Sequence, residues 1–117
     1  AMRAFEAARR RTRDRRLGDL ARTGITACGL SLGEAAVAAR DPFAADRWLT
    51  LAVSADSNSF DGRRARLGLG DLRRAQGDLL GAAMAYQAVL SISSTDSLGN
   101  LARERLDVLG AAPDTTK

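Results

Sequence analysis

Few side chains in this 117-residue chain can take part in acid–base or metal chemistry. Histidine is absent and Cys28 is the single cysteine, which excludes the commonest general base, a Ser-His-Asp arrangement and a Cys/His zinc site. The carboxylates in or near the predicted helices have positions typical of helix caps or solvated faces: Glu34, Asp41, Asp46, Asp56, Asp61, Asp71 and Asp78. The sequence therefore predicts a protein that is not an enzyme, with no catalytic residue, metal or cofactor.

Two glycine patterns can be interpreted either as ligand sites or as packing sites. Segment 68–71 (Gly-Leu-Gly-Asp) resembles a nucleotide-binding loop. Packing is the favoured interpretation, because no predicted strand precedes the segment and the only lysine is Lys117. Gly29 and Gly33 form a GxxxG pattern in an amphipathic helix, which favours close helix packing over membrane dimerisation. Cys28 occupies an apolar helix position and is predicted to be a small core residue rather than a reactive thiol.

Positive charge is concentrated at the N-terminus. Residues 1–22 hold eight arginines against three acids, a side-chain charge of +5, whereas the whole chain carries +4 and the remainder is close to −1. The densest part of this basic arm consists of Arg9, Arg10, Arg11, Arg13, Arg15 and Arg16. Such an arm either solubilises a weakly charged body or binds an anionic surface such as nucleic acid, an acidic protein or a lipid headgroup.

An internal repeat organises the middle of the chain. Residues 30–57 align without gaps on residues 67–94 at a shift of 37. Identical pairs are Leu30/Leu67, Leu32/Leu69, Gly33/Gly70, Ala38/Ala75, Asp41/Asp78, Ala45/Ala82, Ser54/Ser91 and Ser57/Ser94. The turn, the glycine and the positions of the second helix are all in register, which indicates a true repeat rather than two alanine-rich helices that match by chance.

The first copy has the pattern of two helices around a tight turn. Spacings of three and four predict a buried face on its first helix, made up of Ile25, Cys28, Leu32, Ala35, Ala36 and Ala39. Asp41 is placed to cap the second helix, with Pro42 as its first residue. The predicted buried face of that second helix consists of Ala45, Trp48, Leu49, Ala52 and Val53.

The second copy repeats this plan after the polar connector 54–59. Asp61 is predicted to cap a helix that buries Ala65, Leu69 and Leu72. Gly77 can then adopt the positive φ of a helix end, and Asp78 can cap the following helix. The buried face of that helix is predicted to consist of Leu79, Ala82, Ala83, Tyr86, Val89 and Leu90.

The second copy resembles a tetratricopeptide repeat. Leu69-Gly70, Ala82 and Tyr86 stand at the family's intervals, and the first copy offers Leu32-Gly33, Ala45, Leu49 and Ala52. The departures are Arg66, Arg73 and Ser94 in place of the family's tryptophan, tyrosine and proline, and a period of 37 rather than about 34 residues. Over residues 26–94, the resemblance implies an all-α fold of antiparallel helix pairs stacked as a short right-handed superhelix.

The same resemblance implies where a partner binds. In the family, the first helices of successive pairs line a concave groove that takes a peptide or a helical segment. The matching groove positions in this chain are Leu30, Glu34, Val37, Arg64, Leu67, Asp71 and Arg74. No asparagine stands among them, so the clamp with which chaperone-binding members hold a C-terminal carboxylate is not expected.

The flanks complete the predicted organisation. Residues 1–24 form a basic N-terminal helix or arm that packs through Met2, Phe5 and Ala8 and is broken from the first repeat at Thr23-Gly24. Residues 25–95 hold the two helix pairs. Residues 96–110 form a capping helix with an apolar stripe of Leu98, Leu101, Ala102, Leu106 and Leu109. Residues 111–117 are predicted to be a disordered tail.

Three classes of function remain open at this point: an interaction scaffold, a binder of nucleic acid or another acidic surface through the arm, and an accessory subunit that touches a substrate or a carrier protein. Self-association is also plausible, because a short array has hydrophobic end faces. No apolar run approaches the roughly 18–20 residues that cross a bilayer, and no signal peptide is evident, which predicts a cytoplasmic protein without a membrane span.

Overall fold

The computed structural model describes residues 2–111, which form five α-helices and contain no strand. The helices are α1 (Met2–Ala38), α2 (Pro42–Ala55), α3 (Phe60–Ala75), α4 (Leu79–Ile92) and α5 (Ser97–Ala111). The predicted all-α class is confirmed. The tail predicted at 111–117 lies outside the described residues apart from Ala111, which ends α5.

The turns within the two pairs have the same geometry at a spacing of 37 residues. Arg40 and Gly77 both have a left-handed backbone, with φ of 59° and 84°. The amide N–H of Asp41 bonds to the carbonyl oxygen of Ala36 at 2.9 Å, and that of Asp78 to Arg73 at 2.8 Å. These bonds close the Schellman-type ends of α1 and α3, so the repeat seen in the sequence is also a repeat of backbone structure.

Side-chain caps start four of the helices, α2 to α5. Asp41 accepts the amide hydrogen of Ala44 at 3.1 Å and Asp78 accepts that of Gly81 at 2.9 Å, as predicted. The cap predicted at Asp61 is wrong. The Ser59 hydroxyl accepts the Gly62 amide hydrogen at 3.0 Å, and Asp61 already lies in the first turn of α3, where its negative charge complements the helix dipole.

Each helix packs on the next, and α3 also contacts α1 and α5. One core cluster joins α1, α2 and α3 and contains Leu30, Leu49, Ala52, Ala65 and Leu69. A second cluster joins α3, α4 and α5 and contains Leu67, Ala82, Tyr86, Val89, Leu98 and Ala102. Leu106 and Leu109 pack against the second cluster, so the predicted docking of the last helix is confirmed, whereas Leu79 at the start of α4 is exposed.

Of the six residues predicted to form the buried face of α1, only Ala36 is buried. The residues turned towards the core are Thr26, Gly29, Leu30, Gly33 and Ala36. Cys28 is exposed, and 45% of Ile25 and 44% of Leu32 are accessible to solvent, so the prediction of a core cysteine is wrong. The glycines decide the orientation, because a Cβ at Gly29 would stand 2.9 Å from the Trp48 carbonyl oxygen and one at Gly33 would overlap Leu49.

The same crossing recurs in the second pair, where a Cβ at Gly70 would stand 2.6 Å from the Tyr86 ring. Gly33 and Gly70 are 37 residues apart, as are Leu49 and Tyr86. A glycine in the first helix of each pair therefore receives a large side chain from the second helix, and the two helix axes approach closely.

The predicted break at Thr23-Gly24 and the predicted packing of the arm are both wrong. Helix α1 runs through this point without interruption for 37 residues, and other than Gly18 every residue from Met2 to Ile25 is exposed. One glycine costs a helix only about 1 kcal/mol, too little to end it, and the Thr23 hydroxyl bonds to the Asp19 carbonyl one turn back at 2.9 Å. The arm gives the molecule its 75 × 30 × 19 Å dimensions.

Asp96 both caps α5 and ties it to α3. One carboxylate oxygen accepts the Gly99 amide hydrogen at 2.9 Å, and the other accepts a hydrogen bond from the Arg63 guanidinium at 2.6 Å. The Gly99 amide and then the Arg63 side chain hold the pKa of Asp96 below its usual value. Arg63 is itself buried and stands over the Phe60 ring at 5.9 Å.

Candidate partner-binding groove

The odd-numbered helices form one continuous face of the body. Helix α3 lies between α1 and α5 and contacts both, whereas α2 and α4 make no contact with each other within residues 2–111. The connections are short, so neighbouring helices run antiparallel. Successive helices on the α1/α3/α5 face therefore contact each other directly, which α2 and α4 do not in the described part of the chain.

A first cavity, of about 400 Å³, lies between α1 and α3. Its lining is largely apolar and consists of Leu30, Val37, Ala38, Leu49, Gly68, Leu72 and Ala75, with Glu34, Arg64 and Asp71 as its charged members. Val37 is half exposed, and Gly68 leaves the floor open because it has no side chain. The cavity can accept an apolar side chain from a partner.

A second cavity, of about 370 Å³, lies between α3 and α5. It adds Phe60, Leu67, Ser97, Leu98, Leu101 and Arg105 and shares Glu34, Arg64, Gly68 and Asp71 with the first cavity. Phe60 is 49% exposed and Leu101 37% exposed, so this cavity also presents apolar surface. The two cavities together form a groove across the α1/α3/α5 face.

An ion pair marks the boundary between the two cavities. Arg64 of α3 donates a hydrogen bond to Glu34 of α1 at 2.8 Å, and both side chains are about half exposed. A pair with this exposure adds roughly 0–1 kcal/mol to stability. Its charges are therefore available to a partner that offers opposite charges of its own.

Both carboxylate oxygens of Asp71 accept hydrogen bonds from other helices. One of its carboxylate oxygens accepts a hydrogen bond from the Tyr86 hydroxyl at 2.5 Å, and the other accepts one from Arg105 at 2.6 Å. Burial, followed by the hydrogen bond to Asp71, raises the pKa of Tyr86 to about 12. Asp71 therefore joins α3, α4 and α5, while its side chain, 37% exposed, remains at the surface of both cavities.

Five of the seven predicted groove residues are brought together around the first cavity: Leu30, Glu34, Val37, Arg64 and Asp71. Leu67 reaches the second cavity, but it is only 5% exposed and belongs to the core, so it is a floor residue rather than a free contact. Arg74 is exposed and lines neither cavity. It lies in the last turn of α3, where its neighbours Leu72 and Ala75 line the first cavity instead.

The groove also contains residues that sequence reasoning missed. Phe60 and Leu101 contribute exposed apolar surface to the second cavity. Helix α5 was expected only to cap the array, whereas its contact with α3 makes it a third helix of the groove face. The signal was present, since Leu98 and Leu101 lie at helical spacing, but the sequence pattern does not show which side of α5 faces α3.

The six arginines of the predicted arm segment, Arg9 to Arg16, are all exposed. None of them forms an ion pair with another residue of the described range, and Arg9 stands over the Phe5 ring at 5.9 Å. Asp19 and Arg22 form an ion pair further along the same helix. Both the groove and the arm are therefore open surfaces, and they differ in character.

Comparison with protein-family models, curated proteins and solved structures finds no match to this chain. Among the described residues, no helix combines the length and the apolar character needed to cross a bilayer.

Proposed function

We propose that this chain is a binding module without enzymatic activity, and that its α1/α3/α5 groove takes a peptide or helical segment of a partner protein. The scaffold in this proposal is tetratricopeptide-like, with two helix pairs in a short right-handed superhelix and α5 as the closing helix. Two features at the same 37-residue spacing support it. They are the Schellman-type ends at Arg40 and Gly77 and the glycine crossings at Gly33 and Gly70.

The observation that carries the proposal is the pair of adjoining cavities, the first with a largely apolar lining and the second with a mixed one, separated by the Glu34–Arg64 ion pair. A segment that places one apolar side chain in each cavity can bury them both while its polar groups meet Glu34 and Arg64. Helical and extended peptides can both present side chains in this way, at spacings of three to four and of two residues.

The test is selection of random peptides on the folded protein, followed by affinity measurement on a variant with a filled groove. Ala38 is exposed and lines the first cavity, so Ala38→Trp should fill it and weaken the selected peptides by at least about 10-fold. Gln87 is exposed on α4 and lines neither cavity, which makes Gln87→Trp the matched control. Equal affinity for both variants would place the peptides elsewhere.

The Glu34–Arg64 pair gives a second readout. Arg64→Glu should change which peptides are selected towards basic sequences, because two carboxylates then stand at the boundary of the cavities. The exchanged variant Glu34→Arg, Arg64→Glu retains an ion pair and serves as the control for folding. Identical selected sequences from all three proteins would mean that these charges only solvate the surface.

The exposed arginine arm supports a second candidate, the binding of nucleic acid or another acidic surface. The arm has no aromatic residue after Phe5 to interleave with its arginines, so contacts with nucleic acid would be to phosphates and without sequence preference. About six phosphate contacts should weaken binding by roughly 10³-fold or more between 50 and 200 mM salt. Titrations against a random duplex and against polyglutamate, with a variant carrying six Arg→Gln changes as the control, test it.

A further inference from the structure

Helix α1 carries a second apolar face that nothing in the described chain covers. We define its outer stripe as the exposed residues Leu17, Ala21, Ile25, Cys28, Leu32 and Ala35. Four of these residues lie on the face that the sequence predicts to be buried. The stripe is turned roughly a third of a turn away from the buried face of α1, at 100° per residue, and none of its residues lines either cavity of the groove.

The spacing of the outer stripe is that of a helix–helix seam. Successive members are four, four, three, four and three residues apart, which averages 3.6 residues, the period of a straight α-helix. Stripe residues therefore stay in line along the helix rather than winding around it. An apolar seam of this kind matches another helix with the same period.

The side-chain sizes in the stripe indicate which helix that is. From Leu17 to Ala35 the order is large, small, large, small, large, small. If a second copy of the same stripe is laid antiparallel, with its centre between Ile25 and Cys28, Leu17 stands opposite Ala35. In the same register, Ala21 stands opposite Leu32 and Ile25 opposite Cys28. Every large side chain then meets a small one, which is the condition for close interdigitation.

We propose that this chain forms an antiparallel dimer with a second copy of itself through the outer stripe of α1. A parallel arrangement of the same helices would place Leu against Leu and Ala against Ala. The leucine pairs would be crowded, and gaps would remain between the facing alanines. It would also set two arms of charge +5 side by side. The size order and the charge both favour the antiparallel register.

The charges beside the stripe are complementary in this register. The arm of each copy extends past the C-terminal end of α1 of the other copy, where the helix dipole is negative and the last turn of α1 contains no basic residue. In the register that sets Ile25 opposite Cys28, Asp41 of the partner subunit stands level with Thr12, between Arg11 and Arg13. The basic arm of one copy thus lies against the body of the other copy, whose net side-chain charge outside residues 1–22 is close to −1.

Dimerisation also accounts for the length of α1. The helix from Met2 to Ile25 has no tertiary support, and its arginines at spacings of three and four repel one another. Most of the stability of helices in proteins comes from the packing of an apolar face, which this segment lacks within the described chain. Pairing of the outer stripes would give the part from Leu17 onward a packed partner.

Sedimentation equilibrium of the full chain at up to about 100 µM tests the dimer, because a Kd of about 1 µM leaves most chains paired at that concentration. Leu32→Glu should raise the dimer Kd by at least about 100-fold, since both copies bring an unpaired carboxylate into the seam. Leu20→Glu is the matched control, because Leu20 is a 68% exposed leucine of the same helix outside the stripe. It should leave the Kd within about threefold of the original.

Disulfide trapping tests the register independently of these variants. In a Cys28→Ala background, a mixture of the single variants Leu17→Cys and Ala35→Cys should form intermolecular disulfides on mild oxidation, whereas neither variant alone, nor the original protein with Cys28 alone, should do so. Circular dichroism of each variant checks that the helices are retained.

A monomer at every concentration would overturn the proposal and leave the stripe to a different partner. Equal Kd values for the Leu32 and Leu20 variants would overturn it as well. Trapping of either single-cysteine variant with itself, or of the original protein through Cys28, would indicate a parallel pair and overturn the antiparallel register.

Discussion

The Tyr86 hydroxyl donates a hydrogen bond of 2.5 Å to one carboxylate oxygen of Asp71, and Arg105 binds the other oxygen at 2.6 Å. Tyr86 is fully buried, and its ring lies against Gly70 of α3. Three helices thus meet at one carboxylate beneath the groove. The polar end of Tyr86 is satisfied inside the core, so burial of this large ring carries no unpaired hydroxyl.

This contact predicts a loss of stability at high pH. The pKa of Tyr86 is raised from 10.0 to about 12 in the folded protein. The unfolded chain releases the phenol proton first, so the stability that is present below pH 10 is lost as the pH rises from 10 to 12. The loss should reach at most about 3 kcal/mol, since one pKa unit corresponds to about 1.4 kcal/mol. Denaturant unfolding at several pH values measures it.

Tyr86 is the single tyrosine of the chain, so ultraviolet absorbance of the tyrosinate follows the same group directly. The Tyr86→Phe variant is the control and should lack this alkaline component. A normal titration midpoint in the folded protein would contradict the structure at this site.

The glycines of α1 predict opposite effects of alanine at two positions. At Gly29 a Cβ would stand 2.9 Å from the Trp48 carbonyl oxygen, so Gly29→Ala should destabilise the fold by roughly 1–3 kcal/mol. At Gly24 nothing lies within 4 Å, so Gly24→Ala should raise the helical signal and favour the helix by roughly 0.5–1 kcal/mol. Circular dichroism during thermal unfolding compares the two. A loss of helix in the Gly24 variant would mean that α1 bends there.

The first core cluster predicts a large cost for truncating Leu49. This residue is 2% exposed and lies in the cluster that joins α1, α2 and α3, so Leu49→Ala should cost roughly 2–5 kcal/mol. Leu51 lies on the same helix and is 42% exposed, and Leu51→Ala should cost less than about 1 kcal/mol. Urea unfolding of both variants provides the comparison, and similar costs would mean that α2 does not face α1 and α3 as described.

Asp96 predicts a component of acid denaturation. Its pKa is lowered in the folded state, first by the Gly99 amide and then by Arg63. The stabilisation is therefore fully present above the ordinary carboxyl pKa and is lost as the pH falls through the lowered value. Asp96→Asn should flatten the dependence of the melting temperature on pH below about 4. Asp107→Asn, on the exposed side of α5, should leave the slope unchanged.

The elements that depend on local chemistry were predictable from the sequence. Asp41, Pro42, Gly77 and Asp78 define the turns within the pairs because capping and positive φ are decided by a few neighbouring residues. The cap of α3 was less determined, since Ser59 and Asp61 both suit the position. Only the backbone conformation at Ser59 separates them.

The orientation of α1 could not be predicted because both of its faces are apolar. Apolar periodicity favours a buried face that contains Ile25, Cys28 and Leu32 over one that contains glycines. Close packing against α2 instead requires the glycines at positions 29 and 33. A hydrophobicity pattern counts the side chains that are present, and this contact depends on side chains that are absent. In the same way, the apolar side chains of Met2 and Phe5 do not show whether another helix packs against them.

The candidate groove was predictable in its α1 and α3 residues and not in its α5 residues. The repeat fixes how α1 and α3 correspond, so Leu30, Glu34 and Arg64 follow from one alignment. Helix α5 has no counterpart in the alignment, and its position depends on the tertiary bond between Arg63 and Asp96. Long-range contacts of this kind have no signature within a short window of sequence.

The unbroken course of α1 sets the distance between the two open surfaces of the molecule. Twenty-one residues separate Arg13 from Glu34 along one helix, which amounts to about 30 Å at 1.5 Å per residue. The helix is in this respect a spacer, and a ligand held on the arginines stands clear of one held in the groove. The two surfaces can therefore be occupied at the same time, and a molecule bound at both would be aligned along the axis of α1.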